Sequence, residues 1–312
     1  MPFLRSGFIA LSHNRPLRRF FEHSALGTRL NKRFIAGMKI DDALRVAEAV
    51  NDQGIAVTLD SLGESVTSAS EAHRAADVYH QLLDAIAQRS LNANISVKLT
   101  QMGLQKGDAH SPELAESIVG NLVRHARSTG NFVRVDMEDS HVTQITLDIV
   151  RRIHARADMR GAVGVVIQAY LYRSQSDIEQ LLIDGIRVRL CKGAYDEPQE
   201  VAFPRKSEVD ENFLVLSKLL LSSPLYHGIA THDEAIVNAV KAHVAARSID
   251  REHFEFQMLY GVRRDLQRKL VSEGYKVRVY VPFGTEWYPY FMRRLAERPA
   301  NVLFLAKNFF RS

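Results

Sequence analysis

The strongest constraint on the fold of this chain is a repeated pattern, in which a short apolar, β-prone segment precedes a segment of helical periodicity. The predicted strands are 55–60, 94–100, 132–137, 163–170, 186–191, 228–232, 254–259 and 277–281. Parallel strands need a crossover between them, and a helix is the usual crossover. Eight strand–helix units in about 250 residues predict an α/β fold, a closed (β/α)8 barrel of the TIM type. A doubly wound open sheet is the alternative, but no Gly-x-Gly-x-x-Gly motif follows an early strand to favour it.

Amphipathic periodicity predicts the helices. They are 33–53, 71–90, 111–128, 142–155, 176–184, 208–221, 234–246 and 263–273, followed by a last helix that begins near Pro289 and includes Glu297. No linker or low-complexity segment interrupts residues 41–312, so this range is predicted to be one barrel domain. Residues 1–40 are predicted to form a basic helical N-terminal extension.

Positive charge is concentrated in that extension. Residues 1–40 contain eight lysines and arginines and one acidic residue, Glu22, so their net charge is +7. Because the whole chain has a net charge of +5, residues 41–312 carry about −2. Arginines interleaved with apolar residues such as Phe20 and Phe21 could lie on an anionic membrane surface, form an organellar transit sequence, or cap the barrel as a solvated helix. The near-neutral remainder argues against nucleic acid as a partner.

The last predicted helix carries a candidate anion site. Tyr290, Arg293, Arg294 and Glu297 share one face, since their spacing is i, i+3, i+4 and i+7. Two guanidinium groups near the positive end of a helix suit a carboxylate or a phosphate. The alternative is an ordinary solvated basic face.

Further cations lie at the predicted C-terminal strand ends, where (β/α)8 barrels build their active sites. Lys98, Arg189 and Lys192 occupy such positions. Together with the paired arginines they predict a barrel mouth that attracts an anionic small molecule, an anionic cofactor, or both. No ligand spacing typical of a metal site occurs, so no metal is predicted. The one cysteine, Cys191, excludes an internal disulfide.

These residues belong to a series of motifs that resembles the proline dehydrogenase family in its stand-alone bacterial form, over residues 33–310. The motifs are Arg-Phe-Ile-Ala-Gly (33–37), Leu-Asp-Ser-Leu-Gly-Glu (59–64), Ser-Val-Lys-Leu (96–99), Val-Asp-Met-Glu (135–138), Gln-Ala-Tyr-Leu (168–171), Arg-Leu-Cys-Lys-Gly-Ala-Tyr (189–195), Ala-Thr-His-Asp (230–233), Phe-Gln-Met-Leu-Tyr-Gly (256–261) and Tyr-x-x-Arg-Arg-x-x-Glu (290–297). Their order along the barrel makes the resemblance specific.

The resemblance implies a distorted (β/α)8 barrel that holds FAD non-covalently at its strand ends. It implies oxidation of L-proline to Δ1-pyrroline-5-carboxylate, the first step of proline catabolism to glutamate. The carbon next to nitrogen would give a hydride to flavin N5, and the electrons would pass to a membrane quinone. The implied location is cytoplasmic, with or without peripheral contact at the inner face of the membrane.

The resemblance also assigns site residues. Arg293, Arg294 and Lys98 would bind the proline carboxylate. The proline ring would pack on Tyr290, Leu259 and Tyr280, although Leu259 and Tyr280 could instead be plain core residues. Asp136 and Arg189 would hold the catalytic network, with Arg189 near the flavin. Glu64 would act as a gate that closes by pairing with Arg293. The flavin-contacting positions would be Met137, Gln168, Arg189, Lys192, Gly193, Ala194, Thr231, His232, Gln257 and Glu297.

Two other functions are compatible with the charge pattern. A phosphate-binding barrel lyase or isomerase would use the same cationic mouth, although the glycine-rich phosphate loop after strand 7 or 8 is missing. A basic membrane-binding or nucleic-acid-binding protein would rely on residues 1–40 alone.

Overall fold

The predicted (β/α)8 barrel is confirmed. The computed structural model describes Ser24 and residues 33–63, 66–105, 107–108, 110–288, 290 and 292. Within these residues, eight parallel strands close into a barrel in chain order, and β8 completes it by pairing with β1. The strands are β1 (Ala56–Ser61), β2 (Ala93–Val97), β3 (Val133–Val135), β4 (Val163–Gln168), β5 (Arg187–Cys191), β6 (His227–Ala230), β7 (Phe254–Leu259) and β8 (Val277–Phe283).

Helices surround the barrel, and within the described residues one precedes β1 and one follows each of β1 to β7. They are α1 (Ile40–Asn51), α2 (Ala69–Gln88), α3 (Ser111–Ser128), α4 (Ser140–Ala155), α5 (Ser174–Ile183), α6 (Lys206–Leu221), α7 (Glu234–Ala246) and α8 (Arg264–Ser272), with a 3-10 turn at Arg251–His253. Local sequence sets where they begin. Ser68, Asp139 and Asp233 each accept a hydrogen bond from a backbone N–H of the first turn that follows, which satisfies a group the helix leaves unpaired.

The first helix is shorter than the sequence predicts. A single helix over 33–53 is wrong, because α1 begins at Ile40 and residues 35–39 are not helical. Gly37 has a φ of +128°, a conformation that only glycine adopts readily. The extended stretch instead pairs with the end of β8, where the Ala36 N–H donates to the Pro282 carbonyl and the Gly284 N–H to the Gly37 carbonyl, both at 2.9 Å. The predicted extension of residues 1–40 lies mostly outside the described residues, and its boundary stays a prediction.

The two faces of the barrel strands differ sharply in polarity. The outward face carries apolar side chains such as Val57, Ile95 and Val188, which are fully buried beneath the helices. The inward face is polar, and one register layer reads Ser96, Arg134, Gly164 and Arg187 around β2 to β5. Most (β/α)8 barrels fill this space with branched apolar residues, so the polar interior sets this barrel apart.

Two interior glycines make room for long polar side chains. A Cβ atom at Gly164 would lie 2.6 Å from Arg134 Nη1 and 2.4 Å from the Arg187 carbonyl oxygen. A Cβ atom at Gly228 would lie 2.4 Å from Gln257 Nε2. Both distances are far below van der Waals contact, so the small residues on β4 and β6 permit the large ones on their neighbours.

A second, smaller core lies beside the barrel mouth. It consists of the buried side chains of Ile35, Leu62, Trp287, Tyr288, Tyr290 and Met292. Trp287, Tyr288, Tyr290 and Met292 are helical. The segment before α1, the segment after β1 and the segment after β8 therefore share one apolar cluster, which fixes the direction in which the chain leaves β8.

Candidate active site

Arg189 on β5 joins four other strands across the barrel interior. Its Nη1 donates to Asp136 Oδ1 at 2.9 Å and to Ser96 Oγ at 3.2 Å. Its Nε donates to Gln257 Oε1 at 2.5 Å, and its Nη2 reaches Thr58 Oγ1 at 3.4 Å. A planar guanidinium can satisfy this many acceptors at once because its donors point in fixed, divergent directions.

Lys98 lies between two carboxylates at the end of β2. Its Nζ is 3.0 Å from Asp60 Oδ2 and 3.8 Å from Asp136 Oδ2. The Tyr280 hydroxyl donates to Asp136 Oδ2 at 2.8 Å and lies 3.4 Å from Lys98 Nζ. The Lys98 side chain is 12% exposed and that of Asp60 is fully buried. The Lys98 ammonium group thus lies near two carboxylates, while part of the lysine surface remains exposed at the mouth.

The two acids differ in their proton affinity. Burial raises the pKa of Asp60, and the charge of Lys98 offsets this only in part. Burial also acts to raise the pKa of Asp136, but Arg189 and Lys98 outweigh it, so the pKa lies below its usual value. Burial and the charge of Asp136 raise the pKa of the Tyr280 hydroxyl well above its usual value. Asp136 is therefore the anionic centre of the cluster, and Tyr280 stays protonated.

A further ring of hydrogen bonds holds this cluster in place. The Tyr79 hydroxyl donates to Asp60 Oδ1 at 3.2 Å, and the Ser96 hydroxyl donates to Asp136 Oδ1 at 2.6 Å. Deeper in the barrel, Glu255 accepts from Arg278 Nε and from Gln257 Nε2, both at 2.6 Å. Because Asp60, Asp136 and Glu255 each have two or more hydrogen-bond partners, the cluster is built on a rigid base.

Polar residues also line the rim formed by the ends of β4 to β7. The Gln168 amide donates to the Glu138 carbonyl at 2.8 Å. Lys192 Nζ lies 2.5 Å from Asp210 Oδ1 and 3.0 Å from Asp233 Oδ2. Where the rim is formed by the ends of β6 and β7, His232 Nε2 accepts from the Leu259 N–H at 2.8 Å. The rim therefore presents amide, ammonium and imidazole groups around the charged cluster.

Comparisons with known proteins identify the family. The family model described as proline dehydrogenase matches residues 43–307. The chain is 44% identical to proline dehydrogenase 1 of Bacillus subtilis, over 97% of this chain and 98% of that one. It is 40% identical to the proline dehydrogenase of Deinococcus radiodurans, over 89% of each chain. The chain belongs to the proline dehydrogenase family.

A solved structure with this fold comes from a larger protein. Proline utilization A (PutA) from Bdellovibrio bacteriovorus, in a crystal structure of the enzyme inactivated by N-propargylglycine, superposes with a TM-score of 0.84 at 26% sequence identity. The match covers 94% of this chain and 36% of that one. The proline dehydrogenase barrel is thus one part of PutA, whereas it makes up nearly all of the present chain.

The structure brings four predicted site residues into direct contact. Lys98, Asp136, Arg189 and Tyr280 form the central cluster, and Gln257 joins it through Arg189. Other predicted residues lie at or next to the strand ends around it: Met137, Gln168, Lys192, Gly193, Ala194, Thr231, His232 and Leu259. Tyr290 is buried in the second core. Glu64, Arg293, Arg294 and Glu297 lie outside the described residues, so their roles stay predictions.

The sequence analysis assigned no site role to several residues that complete the cluster. Asp60 pairs with Lys98, Ser96 bonds to both Asp136 and Arg189, and Thr58 receives the far end of Arg189. A signal was present, since Ser96 and Lys98 share the inward face of one strand, as do Thr58 and Asp60. Alternation along the strands could have found them once the barrel was assumed.

The rim suits the flavin that membership of the proline dehydrogenase family implies. Gln168 offers an amide, Thr231 a hydroxyl, and Arg189 and Lys192 offer positive charge, a donor set that fits a polar ring system and an anionic phosphate chain. Gly193 has a φ of +114°, and a Cβ there would lie 2.3 Å from Tyr170 Cδ1. A side chain at this position would not fit, so the backbone at Gly193 is not covered by one.

Proposed function

We propose that the chain oxidises L-proline to Δ1-pyrroline-5-carboxylate with non-covalently bound FAD. The observation that carries the proposal is the central cluster, in which Lys98, Asp136, Arg189 and Tyr280 meet at the strand ends of a proline dehydrogenase family barrel. A cluster with fixed cations beside a partly open rim can orient a small zwitterion by its carboxylate.

Substrate binding rests on charge and shape. Lys98 contributes one cation from the described residues, and we assign Arg293 and Arg294 as the paired cations that complete the carboxylate site. The apolar ring would pack on Leu259, Tyr280 and Tyr290. Glu64 would close the site by pairing with Arg293, which would exclude water during the reaction.

The chemistry needs a proton and a hydride to leave proline. The secondary amine loses its proton to solvent or to a bound water, and the carbon next to nitrogen, on the side away from the carboxylate, loses the hydride. A flavin, when bound, would supply the hydride acceptor. Arg189, fixed by Asp136 and Gln257, would supply the positive charge that stabilises negative charge developing on the acceptor. The other interior side chains keep that guanidinium oriented.

Electrons must then leave the protein, and we propose a membrane quinone as the acceptor. Within the part of the chain that the structure describes, no helix combines the length and the apolar character needed to cross a bilayer. We propose a peripheral contact, in which the basic and apolar residues 1–40 lie at the inner face of the membrane, and a cytoplasmic location for the enzyme.

The visible spectrum of the purified protein tests the proposal. Recorded anaerobically, it is expected to show flavin bands that bleach on addition of L-proline but not of D-proline or a phosphosugar. Bands that persist with L-proline would refute the substrate assignment while keeping the cofactor. Absence of any flavin signal after FAD is added would refute both and would leave the phosphate-binding lyase or isomerase as an alternative.

A further inference from the structure

The connection between β5 and α6 is fastened at both of its ends to the connection that follows β4. Near its start, the Lys192 carbonyl accepts from the Tyr170 N–H at 2.9 Å. Near its end, the Phe203 N–H donates to the Tyr170 carbonyl at 2.8 Å and the Tyr172 N–H donates to the Val201 carbonyl at 3.1 Å. Residues 192–203, called the β5–α6 segment below, therefore form a loop with a closed base.

The middle of this segment is fastened to a different element. Glu197 Oε1 accepts from the Ser140 backbone N–H at 2.7 Å, and its other carboxylate oxygen accepts from the Ser140 hydroxyl. The Tyr170 hydroxyl also approaches Glu197 Oε1, at 3.5 Å. Ser140 is the first residue of α4, so the carboxylate lies at a positive helix end, where a negative charge is favourable.

Glu197 thereby joins two strand-end segments that the proposed function places around the flavin. One runs from Asp136 to Ser140 at the end of β3, and the other contains Lys192, Gly193 and Ala194. Gln168, between them, bonds to the Glu138 carbonyl at 2.8 Å. Glu197 thus links the two segments directly, through two hydrogen bonds to one residue.

We propose that Glu197 is a positioning residue, a tether that holds the β5–α6 segment at the spacing from β3 that flavin binding requires. The inference rests on the proposed function for the identity of the ligand, but the tether itself is a property of the protein alone. Losing a charged acceptor with two partners is expected to loosen the segment and weaken FAD binding by about tenfold or more.

The simpler role for Glu197 would be to cap α4 and nothing else. The helix already has a cap, since Asp139 Oδ1 accepts from the His141 N–H at 3.1 Å. Removing either acid would loosen the first turn of α4, but of the two acids Glu197 belongs to the β5–α6 segment and Asp139 does not. Asp139→Ala is therefore the matched control, because it removes a cap from the same helix end and leaves the tether intact.

Two measurements separate these roles. Amide hydrogen exchange of the FAD-free protein reports on residues 193–203 and on the start of α4, and titration with FAD gives Kd from flavin fluorescence. Glu197→Ala is expected to speed exchange in both regions and to raise Kd about tenfold or more, with Glu197→Gln intermediate because it keeps one acceptor. Asp139→Ala is expected to speed exchange at α4 only and to change Kd less than about twofold.

The outcomes are distinct. Unchanged Kd and unchanged exchange at 193–203 in Glu197→Ala would overturn the proposal, as would equal effects of Glu197→Ala and Asp139→Ala. If Glu197→Ala does not fold, Ser140→Ala removes one of the two bonds and is read in the same way with a smaller expected shift. A wild-type protein that binds no FAD would refute the proposed function, whereas the exchange data would still decide whether the tether exists.

Discussion

At the scale of single residues, Lys98 has two roles: it balances the charge of buried carboxylates, and the proposed function assigns it to the substrate carboxylate. It neutralises Asp60, which is fully buried, and it lies 3.8 Å from Asp136, the most strongly stabilised anion of the cluster. Removing one partner of a buried ion pair leaves an uncompensated charge, which costs far more than the pair contributes. Loss of Lys98 would therefore affect stability and substrate binding together, and a single substitution could not separate them.

A pair of variants can separate the two roles. Lys98→Met is expected to lower the free energy of unfolding by about 3–5 kcal/mol, because Asp60 loses its partner. Adding Asp60→Asn removes the unpaired charge and is expected to restore most of that loss. The kcat/KM for L-proline should stay at least about 30-fold below wild type in both variants, because the substrate carboxylate still lacks a cation. Urea unfolding and steady-state kinetics measure the two effects.

The double variant decides between the two roles of Lys98. If Lys98→Met/Asp60→Asn recovered activity together with stability, the lysine would be purely structural and its assignment to the substrate carboxylate would be wrong. Asp60→Asn alone is the control, since it keeps the cation at the mouth and tests whether Asp60 is needed for anything besides neutralising it.

At the scale of secondary-structure elements, the strands and the side chains that face inward could be predicted from sequence, but the contacts between those side chains across the barrel could not. The outward faces are mainly apolar, with His227 on β6 as an exception, and this makes each strand visible as an apolar run even where its inward side chains are polar. By contrast, Thr58 and Arg189 are far apart in the chain and meet only because the barrel closes. The start of α1 was missed for a similar reason, since Gly37 is fixed by a hydrogen bond from Gly284.

Gly193 in the β5–α6 segment allows a test of whether this position requires a glycine. Gly193→Ala places a Cβ atom 2.3 Å from the Tyr170 ring in addition to the strain of a positive φ. Gly161→Ala is the control, because Gly161 has a φ of +81° but no atom within 4 Å of the added Cβ. We expect about 1–2 kcal/mol of destabilisation at Gly161 and at least about 1 kcal/mol more at Gly193. Equal losses in urea unfolding would show that the Tyr170 contact relaxes freely.

The second core gives another prediction for an element. Ile35 is 1% exposed and packs with Trp287, Tyr288 and Tyr290, so Ile35→Ala is expected to cost about 2–5 kcal/mol of stability. Because that core holds Tyr290, we also expect the KM for L-proline to rise while the flavin content stays constant. Ile183→Ala, at a residue that is 78% exposed, should change stability by no more than about 0.5 kcal/mol.

A lower stability of Ile35→Ala with an unchanged KM would contradict the second half of this prediction. The second core would then stabilise the fold without positioning the substrate residues of the last helix. Thermal unfolding and initial-rate kinetics on the same preparations are sufficient, provided that the rates are measured well below the unfolding temperature of the variant.

At the scale of the whole molecule, the barrel contains many buried ionisable groups, and the balance between them sets its tolerance of acid. Glu255 and Asp136 have lowered pKa values because, although burial acts to raise them, nearby arginines outweigh it. Both acids are therefore charged in the folded protein at a pH where the unfolded chain has begun to bind protons. These two acids make stability fall as the pH drops, and a buried histidine adds to the loss at a higher pH than either acid, whereas Asp60, whose pKa burial raises, acts in the opposite direction.

That histidine is His227, at the start of β6. Its side chain is 1% exposed, its Nδ1 accepts from the Val188 N–H at 3.1 Å, and its Nε2 has no hydrogen-bond partner among the described residues. Burial, together with the charge of Arg134, lowers its pKa from 6.5 to about 3. Between these values the unfolded chain binds a proton that the folded protein does not, so the free energy of unfolding is expected to fall by about 1.4 kcal/mol per pH unit below pH 6.5 from this residue alone.

His227→Asn tests this, because the asparagine side chain can still accept from the Val188 N–H but does not titrate. The variant is expected to be less stable than wild type at pH 7.5, because a shorter side chain leaves space in the core, yet to lose stability less steeply between pH 6.5 and 4.5. His253→Asn, at an exposed position, is the control and should leave the wild-type slope unchanged. Urea unfolding at a series of pH values gives the slopes. A slope in His227→Asn as steep as that of wild type would mean that the buried imidazole accepts a proton in the folded state, so that the acid sensitivity arises from the carboxylates of the barrel interior.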